Sequence, residues 1–169
     1  MRLEKRKRIN IGNSGFSLVE LLAVILIMTI LVVIMLPWML QYTERTKVTA
    51  DRQLAENVQR AIRVAMMDPE VLNDADSQEE IATIARIYNN CSRALSLSAL
   101  SDSPTAFAKS VAEALEITVA ELADMDDRLC SGDSKEKSME IRFWLMKGTD
   151  AGVVIAGSDD GFGKEIIVE

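Results

Sequence analysis

Apolar residues run almost without interruption over residues 16–40. The polar side chains inside this run are Ser17, Glu20 and Thr29. A helix of these 25 residues is about 37 Å long, which exceeds the roughly 30 Å of a bilayer's hydrocarbon core. Because a core helix of a soluble protein usually keeps a polar stripe, and this run has none, the pattern predicts a membrane-spanning helix.

The pattern becomes amphipathic after the apolar run. Apolar residues recur at three- and four-residue intervals, at Val48, Leu54, Ala55, Val58, Ala61, Ile62 and Ala65. Most charged residues, including Asp51, are expected on other faces. We predict one helix over residues 16–67, with Pro37 as a kink because proline removes a backbone donor. Strict heptads are missing, so the half at 41–68 is expected to pack against its own domain.

The middle of the chain carries several helix-start signals. Residues 70–76 are predicted to form a loop, and Ser77 with Glu80 has the spacing of a capping box for a helix over 78–90. Residues 92–102 are predicted as mixed loop. Ser103-Pro104 predicts the start of another helix. A second capping box, at Thr118 and Glu121, predicts a helix that continues to Arg128.

The end of the chain has short β-branched runs separated by turn signals. These runs cover residues 139–146, 151–156 and 163–168. We expect a three-stranded antiparallel meander that closes over the amphipathic half of the long helix. The predicted fold class is therefore α+β: a long N-terminal helix packed on a small head domain, 69–169, with a helical middle and a C-terminal three-stranded antiparallel sheet.

The residues before the apolar run define a motif. Residues 2–8 contain five basic residues and one acidic one, which keeps this end in the cytoplasm. Gly15-Phe16-Ser17-Leu18-Val19-Glu20 follows, and an ionised Glu20 inside an apolar run costs several kcal/mol unless it finds a partner. This combination resembles the processing site of type IV prepilins and pseudopilins. The resemblance covers residues 1 to about 50.

The resemblance implies a processing and assembly route. A prepilin peptidase would remove the leader 1–15 after Gly15 and methylate the new amine on Phe16. Residues 16–40 would serve as the transmembrane and polymerisation half of the helix, and Glu20 would neutralise the amine of a stacked subunit. Pro37 lies where many pilins carry a helix-bending proline.

Partners and location follow from the same resemblance. The partners would be other pilin or pseudopilin subunits, an assembly ATPase and a platform protein of the pilus machinery, and the cytoplasmic membrane. The chain would first be a single-pass protein with its N-terminus in the cytoplasm, and then part of a filament at the cell surface. Major pilin, minor pilin and secretion pseudopilin remain open.

Composition excludes several other classes. The chain has net charge −7, and the 14 basic and 25 acidic residues after residue 15 give about −11. No basic patch for nucleic acid is expected, so direct DNA or RNA binding is not predicted. The chain has no histidine, which removes histidine-based catalysis and most zinc sites. We therefore predict no enzyme activity, no cofactor and no metal site.

The two cysteines, Cys91 and Cys130, bracket the helical middle. In an extracytoplasmic head they can form a disulfide, and closing a loop of about 40 residues would contribute roughly 3 to 4 kcal/mol in the chain-entropy model. The alternative is two separate buried thiols.

A second function class remains open. The chain could be a single-pass envelope protein whose helix only anchors it, and whose acidic ectodomain binds a ligand or a partner. The two classes differ in the mature amino terminus, because an anchor keeps Met1 and an assembly subunit begins at Phe16.

Overall fold

A computed structural model describes residues 17–89, 93–102, 104–132, 138–146, 150–157 and 166–168. The chain divides into two compact units, Met1–Gln41 and Tyr42–Glu169. The fold is α+β, with a long N-terminal helix and an antiparallel sheet, as predicted. The one-helix prediction for residues 16–67 is confirmed over α1, Leu18–Met67, which has Pro37 in its interior.

In the second unit, one face of α1 enters the core. Its buried residues are Asp51, Ala55, Val58, Gln59, Ala61, Ile62, Ala65 and Met66. Most of these were predicted from the apolar periodicity. The expectation that Asp51 lies on another face is wrong, since this residue is only 1% exposed. The carboxylate of Asp51 can lie on the buried face because the backbone amides of Cys130 and Ser131 donate hydrogen bonds to it.

Two helices follow α1 where a loop was predicted over 70–76. They are α2, Pro69–Asn73, and α3, Ala75–Ile87. The loop prediction is wrong because two aspartates cap these helices: Asp68 accepts from the amide of Glu70, and Asp74 accepts from the amide of Ser77. Pro69 occupies the first helical turn, where its missing N–H costs nothing.

The capping box expected at Ser77 and Glu80 is also wrong, because both side chains bind the next helix. That helix is α4, Ala106–Ala114, with Thr105 as its N-cap. The Oγ of Ser77 accepts from the amide of Phe107 at 3.0 Å, and Glu80 accepts from the Thr105 hydroxyl at 2.6 Å. The predicted start at Ser103-Pro104 is thus displaced to Thr105, and Ser103 itself lies outside the described residues.

The described residues also contain three 3₁₀ helices, at Leu97–Ser101, Ala120–Leu122 and Met125–Arg128. The continuous helix predicted from Thr118 to Arg128 is wrong. Glu121 does accept from the amide and hydroxyl of Thr118, both at 2.7 Å, as part of a capping box would. However, the buried Leu122 and Met125 are three residues apart. A 3₁₀ helix has three residues per turn, so it places both side chains on the same buried face.

The sheet has four antiparallel strands rather than the predicted three. In order they are β1, Leu95–Ser96; β2, Met139–Leu145; β3, Ala151–Gly157; and β4, Ile166–Val168. The additional strand, β1, comes from the segment predicted as mixed loop. With two residues, it is too short to show the alternation that marks a strand.

Polar contacts attach the sheet to α1. The side-chain amide of Gln59 donates to the carbonyl oxygen of Ala151 at 2.8 Å and to that of Val168 at 3.4 Å. Arg63 pairs with Asp150, with 2.5 Å between Nη2 and Oδ1. Because Ala151 and Val168 lie on β3 and β4, one buried side chain holds two strands against the helix.

The hairpin formed by β2 and β3 has buried side chains on both of its faces. Ile141, Phe143 and Leu145 point into the main core. Trp144 points the other way and is buried as well, opposite Gly152 on β3. A Cβ on Gly152 would lie 2.1 Å from Cζ2 of the indole, so only glycine fits beneath this ring.

Candidate assembly site on the apolar helix

The first part of α1 exposes apolar side chains on all sides. Every large apolar side chain from Leu18 to Leu40 is at least half exposed. A segment of this length and composition can cross a membrane. In water, exposed apolar surface of this extent is unfavourable, so the segment requires lipid or other protein around it.

The polar groups within this segment are Thr29 and Glu20. The Thr29 hydroxyl donates to the carbonyl oxygen of Ile25, one turn earlier in the same helix. This bond satisfies the hydroxyl inside the helix, so Thr29 is compatible with an apolar surrounding. Glu20 is then the charged group that the helix must accommodate.

Glu20 lies in the first turn of α1 and is exposed. Its Oε2 accepts a hydrogen bond from the amide of Ser17 at 3.3 Å. Glutamate three residues after serine is the spacing of a capping box, and this back-bonding is one of its two bonds. Sequence reasoning missed this local role, although the Ser-x-x-Glu signal was present.

Of the other residues in the predicted processing and bending sites, the structure describes only Pro37. Gly15 and Phe16 lie outside the described residues, so cleavage and methylation there stay predictions. Pro37 lies inside α1, and the helix continues on both sides of it. Proline has no N–H to donate to the carbonyl of Val33, and a bend at this point stays a prediction.

The cysteine prediction is also untested. Cys130 is exposed, with a free thiol that donates to the carbonyl oxygen of Arg128 at 3.3 Å. Cys91 lies outside the described residues. A disulfide between the two therefore stays a prediction.

A set of carboxylate–amide bonds fixes the segment around Cys130 to α1. Asp51 accepts from the amides of Cys130 and Ser131, at 2.6 and 3.0 Å, and Glu44 accepts from the amide of Gly132. Glu44 and Asp51 are seven residues apart, which places them on the same helix face two turns apart. That spacing, in line with Ala55 and Val58, is the signal that could have identified them.

Burial and hydrogen bonds shift the pKa values of several described carboxylates in the second unit. Burial raises the pKa of Asp126, although the hydrogen bond from the amide of Ile141 opposes the shift. Hydrogen bonds from Ser110 and Ser77 lower the pKa of Asp68 and of Asp74, respectively. In the described ranges no group of three or more histidine, cysteine, aspartate or glutamate side chains could hold a metal ion.

Comparison of the chain with protein-family models, with curated proteins and with solved structures found no match. The functional argument therefore rests on the apolar helix and its one carboxylate.

Proposed function

We propose that this protein is a structural subunit of a type IV pilus or a type II secretion-like pseudopilus. The observation that carries the proposal is the apolar part of α1, residues 18–40, which is exposed all round and has one carboxylate in its first turn. Prepilin peptidase cleaves the chain after Gly15 and methylates Phe16. The subunit spans the cytoplasmic membrane with its N-terminus on the cytoplasmic side.

Two requirements of this helix support an assembly role. Its apolar surface needs a continuous apolar surrounding, which lipid supplies before assembly and other subunits supply afterwards. The carboxylate of Glu20 accepts one bond, from Ser17, and a carboxylate can accept several. An amine created on Phe16 of a neighbouring subunit would supply a charged donor in this apolar environment.

In this proposal the second unit forms the body of the subunit. It is a small α+β domain built on the continuation of the same helix. Its partners are other pilin or pseudopilin subunits, and the motor ATPase and platform protein act on it during assembly. The protein is not an enzyme and needs no cofactor or metal.

Mass spectrometry of the mature amino terminus tests the proposal. The protein is purified from the membrane and from sheared surface material of its native host. We expect a chain that begins with N-methylphenylalanine at Phe16 and lacks residues 1–15. An intact leader on the surface-exposed form would contradict the proposal.

A second candidate function is a single-pass envelope protein with an acidic ectodomain. The hydrogen bond between Glu20 and Ser17 favours it, because helix capping alone then accounts for the glutamate. An anchored ectodomain needs neither cleavage at Gly15 nor a charge at position 20. The same measurement distinguishes the two, since the anchor keeps its leader.

A further inference from the structure

Two exposed polar side chains follow the apolar run of α1 closely. The run ends at Leu40, and the helix continues without a break into the second unit. Tyr42 is 72% exposed, and Arg45, three residues later, is exposed as well. Residues three apart on a helix are neighbours on one face, so the phenol and the guanidinium lie on the same side of α1.

The fold does not use either of these polar groups. Among the described residues the guanidinium of Arg45 has no ion pair, and the hydroxyl of Tyr42 has no hydrogen bond. The adjacent carboxylate of Glu44 accepts from the amide of Gly132 and pairs with Lys47, with 3.5 Å between Oε2 and Nζ. Because that carboxylate is engaged, the positive charge of Arg45 is available to a ligand.

The sequence position of Arg45 brings it to the level of lipid headgroups. Arg45 follows Leu40 by five residues of helix, a rise of about 7.5 Å. The headgroup layer adds roughly 5 to 8 Å on each side of the hydrocarbon core. Arginine extends its charged end along a flexible stem, and tyrosine is enriched at this interface. Both side chains can therefore meet the phosphate groups once the apolar part of α1 spans a bilayer.

The charges of the second unit favour an anionic partner at this end of α1. Residues 42–63 contain five basic and three acidic residues, whereas residues 68–132 contain 13 acidic and 4 basic residues. Arg60 is also exposed and has no ion pair among the described residues. It lies about 22 Å further along the helix, beyond the reach of headgroups. Arg45 is therefore the cation of α1 that is both available and close to the apolar run.

The chemistry of the pair fits a phosphate group. A guanidinium donates two parallel hydrogen bonds to phosphate oxygens, and a phenol hydroxyl donates one more. In phosphatidylcholine the choline cation already neutralises the phosphate, whereas phosphatidylglycerol has no cation of its own. A guanidinium should therefore prefer the anionic headgroup.

We propose that Tyr42 and Arg45 bind the phosphate of an anionic phospholipid in the leaflet that faces the second unit. The inference rests on one part of the proposed function, insertion of the apolar part of α1 in a membrane. It requires neither removal of the leader nor assembly.

Photolabelling of the full-length chain in vesicles tests this contact. The vesicles are phosphatidylcholine with a small fraction of phosphatidylglycerol that carries a diazirine close to its headgroup. Phosphatidylcholine with the same diazirine is the comparison probe. After irradiation the chain is cut after glutamate, and lipid adducts are measured by mass spectrometry on peptide 45–56. Peptide 5–20, with four basic residues of the leader, is the internal reference.

We expect about fivefold more adduct on peptide 45–56 from the phosphatidylglycerol probe than from the phosphatidylcholine probe. Arg45→Gln should remove this preference and leave peptide 5–20 unchanged. Tyr42→Phe should lower it about twofold, because one hydrogen bond is lost. Arg60→Gln is the matched control, since this arginine is also exposed and without an ion pair among the described residues, and it should change neither peptide.

Competition identifies the source of the phosphate. Unlabelled phosphatidylglycerol should reduce the adduct on peptide 45–56, and inorganic phosphate at the same concentration should not. Equal yields from the two probes, or equal yields for Arg45→Gln and Arg60→Gln, would overturn the inference. Displacement by inorganic phosphate would also overturn it, because the site would then bind free phosphate.

The lipid contact and the proposed function can fail separately, because the reconstituted chain keeps its leader. A lipid preference at peptide 45–56, together with an uncleaved chain at the surface of the native host, would refute pilin processing and leave the lipid contact established. A chain that begins at Phe16 in the host but shows no lipid preference would refute the lipid contact alone. A chain that carbonate extracts from the vesicles has not inserted, which would contradict both.

Discussion

Asp51, in the middle of a helix, accepts a hydrogen bond from the backbone amide of Cys130, 79 residues later, at 2.6 Å. The carboxylate is 1% exposed, and its other oxygen accepts from the amide of Ser131. A buried carboxylate is costly unless its oxygens are hydrogen-bonded, and here backbone amides fill that role. The position of residues 129–132 thus depends on Asp51, together with Glu44, which accepts from the amide of Gly132.

Asp51→Ala should lower the free energy of unfolding by about 3 kcal/mol, because two backbone amides would lose their acceptor. Asp51→Asn keeps one acceptor oxygen and should cost less. Unfolding is followed by circular dichroism of the full chain in detergent with increasing urea. The control is Glu79→Ala at an exposed position of α3, which should change little. Equal midpoints for Asp51→Ala and Glu79→Ala would contradict the prediction.

Gly152→Ala should destabilise the sheet, because the new Cβ would overlap the indole of Trp144. We expect a loss of about 2 kcal/mol and a changed near-ultraviolet circular dichroism signal as the ring moves. Glu79→Ala, at an exposed position of α3, is again the control. The prediction fails if both variants unfold at the same temperature and keep the native spectrum.

The pH dependence of stability should change in opposite directions in two aspartate variants. Burial raises the pKa of folded Asp126, so its contribution is complete below the unfolded pKa and is lost as pH rises through the folded pKa. Asp126→Asn keeps an acceptor for the amide of Ile141 without the charge. Its stability relative to the wild type should therefore be higher at pH 7 than at pH 3.5.

At Asp74 the expected change of stability with pH has the opposite sign. The hydroxyl and amide of Ser77 lower the pKa of folded Asp74, so its contribution is present above the unfolded pKa and is lost as pH falls through the folded pKa. Asp74→Asn should cost stability at pH 7, and the cost should shrink as pH falls below about 4. Urea titrations at several pH values measure both variants, and parallel curves for the two would be inconsistent with these assignments.

Variants of Glu20 separate helix capping from charge pairing. Glu20→Gln keeps an oxygen for the amide of Ser17 but loses the charge, whereas Glu20→Val loses both. If the charge meets an amine on a neighbouring subunit, both variants should insert in the membrane and fail to assemble, at a cost of about 3 kcal/mol or more per contact. The amount of protein in sheared filaments is the measurement. Normal assembly of Glu20→Gln would show that the charge is not needed.

Gly15→Leu should leave the leader attached. A peptidase cleft must approach the backbone at Gly15 closely, and a branched side chain blocks that approach. The mass of the membrane-extracted chain distinguishes the two forms. Ser14→Leu, one residue earlier, is the control for a general effect of the substitution. Removal of residues 1–15 from Gly15→Leu would show that cleavage does not require glycine at position 15.

Local sequence signals predicted the long elements and failed at contacts between distant segments. The helix Leu18–Met67 was predictable because its apolar pattern continues over many turns. Strand β2 was predictable because apolar and polar residues alternate along it, and β3 because it is a short β-branched run next to turn signals. Ser77 and Glu80 have capping-box spacing, but their partners, Phe107 and Thr105, lie on another helix.

In the candidate site, too, local features could be predicted from the sequence and contacts between distant residues could not. The apolar segment and Glu20 could be identified from the chain alone, because an interrupted hydrophobic run is a local pattern. The buried role of Asp51 could not, since it depends on amides contributed by residues about 80 positions later. The strand at Leu95–Ser96 was also inaccessible, because its partner β2 defines it.

The amide of Gln59 has its acceptors on β3 and β4, which follow it by 92 and 109 residues. During synthesis, the carbonyl oxygen of Val168 is made 109 residues after the side chain of Gln59. Until then the helix side chain must bond to water, and the apolar residues beside it stay uncovered. The second unit therefore completes its core late, after β4 has been synthesised, and until then its uncovered apolar residues are accessible to proteases and chaperones.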